Sequence, residues 1–186
     1  MKNIDEVEKI VRERLSEKRF NHSKSVENYC RLLAEKYGED EEKAMLIGIA
    51  HDIAKEIPVE EKIAYCLKNN IFIDEIEKKS PELLHGKIGA DIAEKELEFD
   101  DSMCRAIKYH TTGKVGMDKL AKILFVADSI ADDRNWDGIE EGRKVAMENL
   151  DEAILFFLNH TIIYTIQKNL SIHPDSVYLR NEYLDK

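Results

Sequence analysis

Ala44-Met45-Leu46-Ile47-Gly48-Ile49-Ala50-His51-Asp52 is the stretch on which the reading of this chain turns. Seven apolar or small residues in succession leave no polar face, so a helix here is buried on all sides. It runs straight into an imidazole and a carboxylate. A buried charge costs several kcal/mol unless it is paired or bound to a cation. The pair therefore reads as the functional end of a core helix.

The helix signals continue in both directions. Asn3 with Glu6 forms a capping-box pattern for a first helix, expected to reach about Arg19. A second is expected from His22 to Tyr37, stopped by Gly38, and a third from Asp40 to Ala54. Others are predicted at 58–69, 81–97, 100–110 and 117–131. A long one is predicted at 139–169, with room for a break, and a short one after Pro174. All three prolines, Pro58, Pro81 and Pro174, read as first-turn residues. Only Ile71-Phe72-Ile73 looks like a strand, and it is too short to seed a sheet. The fold class is all-α.

Composition narrows the function. Apolar residues are 43% and charged residues 35% of 186, which suits a folded globular protein and argues against disorder. The net charge of −10 argues against nucleic-acid polymers and anionic membranes as partners, though not against a nucleotide held by a local cluster of cations. Apolar stretches such as Ala153–Leu158 are too short to span a bilayer, and the first residues carry no signal-peptide run. Cys30, Cys66 and Cys104 are odd in number and far apart, so a reducing cytoplasm is expected rather than a disulfide framework.

Four histidines and two aspartates form a series: His22, His51-Asp52, His85, His110 and Asp128. Asp128 is the strongest anomaly. It interrupts Ile123-Leu124-Phe125-Val126-Ala127 and has no obvious local partner, so it calls for a cation or strong donors. Mixed imidazole and carboxylate suit borderline metals such as iron, manganese or zinc. Taken singly, a histidine at a helix end is more often a cap or a packing residue. Spacing alone does not bring the six together. His160 and His173 read as packing residues. Trp136, in the polar loop 132–138, reads as a plug between the core and the helix that follows, with stacking on an adenine as the alternative.

The order H…HD…H…H…D resembles the HD-domain superfamily of metal-dependent phosphohydrolases over about 19–134. It looks closest to the YqeK-like branch, the bacterial symmetrical diadenosine tetraphosphate hydrolases. The pieces that carry the likeness are Arg19-Phe20-Asn21-His22-Ser23, His51-Asp52-Ile53-Ala54-Lys55, His85-Gly86-Lys87-Ile88-Gly89-Ala90, His110-Thr111-Thr112-Gly113 and Ala127-Asp128-Ser129-Ile130-Ala131-Asp132-Asp133-Arg134. The chain departs from that branch after Asp128, where Ser-Ile-Ala-Asp-Asp stands in place of an aromatic, an Ile-Glu pair and a proline.

The resemblance implies one compact multi-helix domain over 1–186, with a metal-site core at about 19–134 and an added layer of C-terminal helices at about 139–186. It implies two divalent metals, iron first, with manganese or zinc as substitutes. One would be held by His22, His51, Asp52 and Asp128, the other by Asp52, as bridge, with His85 and His110. A hydroxide between the metals would split diadenosine tetraphosphate into two ADP. Catalytic roles fall to Asp52, Lys55 and Arg134, and phosphate contacts to Arg19, Lys55, Thr111, Thr112, Gly113, Lys114 and Arg134. A homodimer is admissible. The alternatives are another HD-domain nucleotidase or phosphodiesterase, or a non-catalytic nucleotide-binding regulatory module. Nucleotidyl transfer is excluded by the lack of a Gly-rich βαβ start.

Overall fold

A computed structural model describes residues 1–184. Helix α1 (Ile4–Arg14) carries the expected Asn3–Glu6 capping box but ends five residues early. The reason is Ser16, which caps α2 (Glu17–Tyr37) and is itself clamped by Glu56 at 2.6 Å to its N–H and 2.8 Å to its hydroxyl. This break places Arg19 and His22 on the opening turns of α2. Gly38, left-handed at φ 66°, closes α2 as predicted.

The apolar run forms α3 (Glu41–Ala50), started by the Asp40 cap. Helices α1, α2, α7 (Asp101–Tyr109) and α8 (Lys119–Ile130) all pack on it. Leu46, Ile47 and Ile49 are fully buried, each contributing about 1.5–3 kcal/mol. The helix does not continue to Ala54. Beyond Ala50 the chain tightens into turns, with Ile53 N–H on Ala50 O at 3.0 Å and Lys55 N–H on Asp52 O at 2.8 Å. His51 and Asp52 therefore stand at a helix end, where both side chains leave the axis.

Between α3 and α7 lie α4 (Val59–Lys68), α5 (Glu75–Lys79) and, after a 3-10 turn at Pro81–Leu83, α6 (Leu84–Leu97). Pro58 sits at the cap of α4, one place before the expected first turn, and Pro81 opens the 3-10 turn rather than α6 itself. Helix α5 was not expected, since five residues are too few for periodicity to register. Its Asp74–Glu77 capping box is the signal that marked it. Residues 71–73 are an irregular link, and no strand occurs among the described residues.

The long helix expected at 139–169 is two, α9 (Ile139–Glu148) and α10 (Leu150–Gln167). Asn149, extended at φ −151°, breaks it and caps α10 by accepting from the N–H groups of Asp151 and Glu152. Helix α10 packs on α8, and α11 (Pro174–Leu184) packs on α10. Ser176 of α11 donates to Thr112 O at 2.7 Å, tying this layer to the turn after α7. No helix among the described residues is long and apolar enough to cross a membrane.

Gly48 lies where α2 crosses close to α3. A Cβ there would lie 2.7 Å from Glu27 Cα, a backbone atom that cannot swing aside. In an open helix, Gly→Ala stabilises by up to about 1 kcal/mol. Here Gly48→Ala is expected to destabilise by about 1–3 kcal/mol through overpacking. Urea denaturation reads the sign.

Candidate metal centre

Five elements deliver the site. Helix α2 brings His22, the end of α3 brings His51 and Asp52, α6 brings His85 in its first turn, the end of α7 brings His110, and α8 brings Asp128. The four histidines and Asp52 are all buried, and the Asp128 side chain is 18% exposed. Neighbouring rings stand 5.4 Å (His22–His51), 5.1 Å (His51–His110) and 4.9 Å (His85–His110) apart. The six positions thus converge.

One local device repeats at three of them. His51 Nδ1 lies 2.8 Å from Gly48 O, His85 Nδ1 2.6 Å from Glu82 O, and His110 Nδ1 2.7 Å from Ile107 O. In each case the partner is the carbonyl three residues earlier. A carbonyl only accepts, so Nδ1 carries the proton and Nε2 turns its lone pair inward. His22 uses a side chain for the same purpose. Its Nδ1 sits 2.7 Å from Asp133, and its Nε2 lies 3.0 Å from Asp128 Oδ1.

Asp52 is 2% exposed and its two oxygens face different ways. Oδ1 lies 3.2 Å from His85 Nε2 and 3.5 Å from His110 Nε2. Oδ2 lies 3.7 Å from both His51 Nε2 and Arg19. Yet Asp52 Oδ1 and His51 Nε2 are buried without a hydrogen-bond partner. Orphaned buried polar atoms are rare and costly. An electron-pair acceptor between them would relieve both. His22, His51 and Asp128 form one group whose ligand atoms lie within 4.8 Å of one another, and His51, Asp52 and His110 form a second. With two carboxylates and four imidazoles, the donor set suits a borderline divalent ion.

Electrostatics agree. Burial pushes His51 and His85 down to about 4, so both rings are neutral at neutral pH. Burial would raise the Asp52 carboxyl, but His51, His110, His85 and Lys55 outweigh it and hold it well below the usual range. Asp128 is likewise held low against its burial by Arg134 and His22.

The expected cations are placed unevenly. Lys55 Nζ lies 3.5 Å from Asp52 Oδ1 and 3.0 Å from His85 Nε2. Arg134 pairs with the Asp128 carboxylate and donates from Nε to its carbonyl at 2.9 Å. Thr111 Oγ1 is 3.1 Å from His110 Nε2. Thr112 turns its hydroxyl to Gly113 O, and Lys114 pairs with Asp175 at 2.8 Å, outside the cluster. Gly113 N–H is taken by Tyr109 O at 2.8 Å, and a Cβ there would strike Leu179, so turn and packing occupy the residue expected to meet phosphate.

Two residues escaped the sequence reading. Asp133 is adjacent to Arg134 and could have been found as a carboxylate partner for a ligand histidine. Lys62 gave no signal. It is 4% exposed on α4 and its ammonium donates to Lys55 O at 3.0 Å, pinning the turn after Asp52. A third cluster, Asp74, Glu77 and His173, has its oxygens spent otherwise. Asp74 and Glu77 cap α5, Lys87 pairs with Glu77, and His173 lies 3.0 Å from Asp74. Trp136 is the expected plug. It stacks on His160 at 3.6 Å and meets Phe156 and Phe157 of α10.

The HD domain family model matches residues 19–133. The chain is 33% identical over 180 residues to the symmetrical bis(5'-nucleosyl)-tetraphosphatase of Bacillus subtilis, covering 96% of each. It is 33% identical over 184 residues to the protein of the same name from Staphylococcus aureus, covering 97% of this chain and 94% of that one. A crystal structure from Clostridium acetobutylicum, described as an HD superfamily hydrolase involved in NAD metabolism, superposes with a TM-score of 0.95 at 34% identity, covering 100% of this chain and 98% of that one.

The neutral rings set a pH dependence. Unfolded, His51 and His85 return to about 6.5, so between about 4 and 6.5 the unfolded chain binds more protons and stability rises with pH. His22, raised by Asp128 and Asp133 against its burial, acts in the opposite sense. With two rings against one, the metal-free protein should unfold at lower urea at pH 5 than at pH 7. A midpoint that holds or rises at pH 5 would contradict neutral buried rings.

Proposed function

The chain belongs to the HD domain family, and from that premise we propose that it is a metal-dependent phosphohydrolase that splits diadenosine tetraphosphate symmetrically into two ADP. The observation that carries this reading is the Asp52 carboxylate, whose two oxygens face two separate histidine groups. The activity for which the Bacillus subtilis and Staphylococcus aureus relatives are named supports the substrate. His22, His51, Asp52 and Asp128 would hold one divalent ion, and Asp52, His85 and His110 a second. Iron is the proposed metal, and manganese or zinc fits the same donors. When bound, the ions supply Lewis acidity that activates water and withdraws charge from the phosphoryl oxygens.

The remaining work belongs to the chain's own groups. Water attacks one of the two inner phosphorus atoms, the central P–O bond breaks, and the bridging oxygen leaves on the other ADP. Lys55 and Arg134 face the two carboxylates and place positive charge where the phosphoryl oxygens gain it. Arg19 adds a guanidinium on the Oδ2 side of Asp52. Thr111 offers a hydroxyl beside His110. Asp133 keeps His22 in the tautomer that presents Nε2.

We read the whole chain as one functional unit, since α8 carries Asp128 on one side and supports α10 on another. Its three cysteines are free, which fits the cytoplasm.

Protein purified without oxygen and loaded with iron should convert diadenosine tetraphosphate to ADP alone. Asp52→Ala should lose both bound metal and turnover. AMP plus ATP as products, or an Asp52→Ala variant that keeps its metal and its rate, would overturn the reading. A finer check is Asp133→Ala. Loss of the carboxylate behind His22 should weaken metal binding by ~10–100-fold in a chelator competition, with the fold intact by circular dichroism.

A further inference from the structure

A cleft of about 260 Å³ opens from the metal centre toward α10. Its inner end is formed by His110, Asp128 and Arg134, groups that belong to the site just described. Its outer end is formed by Trp136, His160 and Tyr164. These two ends differ in chemistry. The inner end carries the charges. The outer end carries three aromatic rings and no cation.

The rings are arranged as a wall. Trp136 and His160 stack with centroids 3.6 Å apart and planes inclined by 20°. Phe156 and Phe157 back the indole from behind, fixing it on α10. Tyr164 follows His160 by one helical turn, so the two share a face of α10. Tyr164 is 50% exposed, so its ring is open to a ligand in the cleft. Burial lowers the basicity of His160, which leaves its imidazole uncharged at neutral pH. An uncharged, ring-lined slot joined to a phosphate-binding end matches a planar heteroaromatic group carried on a phosphate chain.

Size decides how much of a ligand enters. Pockets that enclose drug-sized ligands run to roughly 300–1,000 Å³. This cleft is below that range, so it takes one nucleoside end and not a whole dinucleotide. We propose that it is the subsite for one nucleobase of the substrate, held against Trp136, His160 and Tyr164, while Arg134 spans the phosphates between base and metal. The proposal rests on the phosphohydrolase reading above for the identity of the substrate. His160 and Tyr164 become specificity residues, and Trp136 serves both as plug and as part of the wall.

Trp136 is the only tryptophan in the chain, so its fluorescence reports on this cleft alone. The test uses the full chain loaded with zinc, titrated separately with ADP and with inorganic pyrophosphate. ADP should change the emission saturably, and pyrophosphate should bind without that change. His160→Ala and Tyr164→Ala should each weaken ADP binding on the order of tenfold. They should leave pyrophosphate binding as it was, and raise KM for diadenosine tetraphosphate more than they lower kcat. Tyr164 is half exposed, so its variant keeps the test sound if His160→Ala fails to fold. Equal signals from ADP and pyrophosphate, with KM unmoved in both variants, would overturn the proposal while leaving the hydrolase reading intact. A protein that binds ADP through these residues but does not cleave diadenosine tetraphosphate would support the subsite and remove the proposed substrate.

Discussion

The Asp52 carboxylate, 2% exposed at the end of a helix with no polar face, is the constraint around which the rest is organised. A lone carboxylate there would protonate or pull the helix end toward water. It does neither, because four imidazoles and three cations face it or its neighbour Asp128. The price of that arrangement is visible in Asp52 Oδ1 and His51 Nε2, which are left without hydrogen bonds. Both atoms offer lone pairs, and a divalent ion is one group that would satisfy them.

Helix ends are what make the cluster buildable. His51 and His110 each cap the C-terminal end of a helix, where the carbonyl three residues back accepts the Nδ1 proton. His85 draws on the 3-10 turn before α6 in the same way. The orientation of these three rings is therefore set by backbone geometry and not by further side chains. Only His22, inside α2, lacks a free carbonyl, and it takes a carboxylate from Asp133 instead. The break at Ser16 and the clamp from Glu56 then matter for chemistry, because they fix the start of α2 and so the height at which His22 enters.

The sequence made the all-helical class and the ligand candidates legible for specific reasons. Asp128 stood out because an acid inside an apolar helix is expensive, and His51-Asp52 because they ended one. Gly38, Asn3 and Asp40 marked helix boundaries through cap chemistry that acts within four residues. What failed was longer in range or shorter in extent. Convergence of the six candidate residues is a tertiary fact and needed the family likeness. Helix α5 was too brief for periodicity, Ser16 broke a helix whose hydrophobic pattern ran on, and Lys62 lies on a helix that reads as ordinary. The packing of Leu179 against Gly113 is a tertiary contact and left no mark in the sequence. His160 looked like packing and is packing, yet its ring also faces the cleft beside the metal centre.

The central claim is that the buried cluster holds two divalent ions with Asp52 between them. Anomalous diffraction from a crystal of the iron-loaded protein, collected on both sides of the iron edge, tests it directly. The account predicts two peaks flanking the Asp52 carboxylate, one toward His22 and Asp128 and the other toward His85 and His110. A single peak on one side, or peaks only at Asp74 and His173, would contradict it.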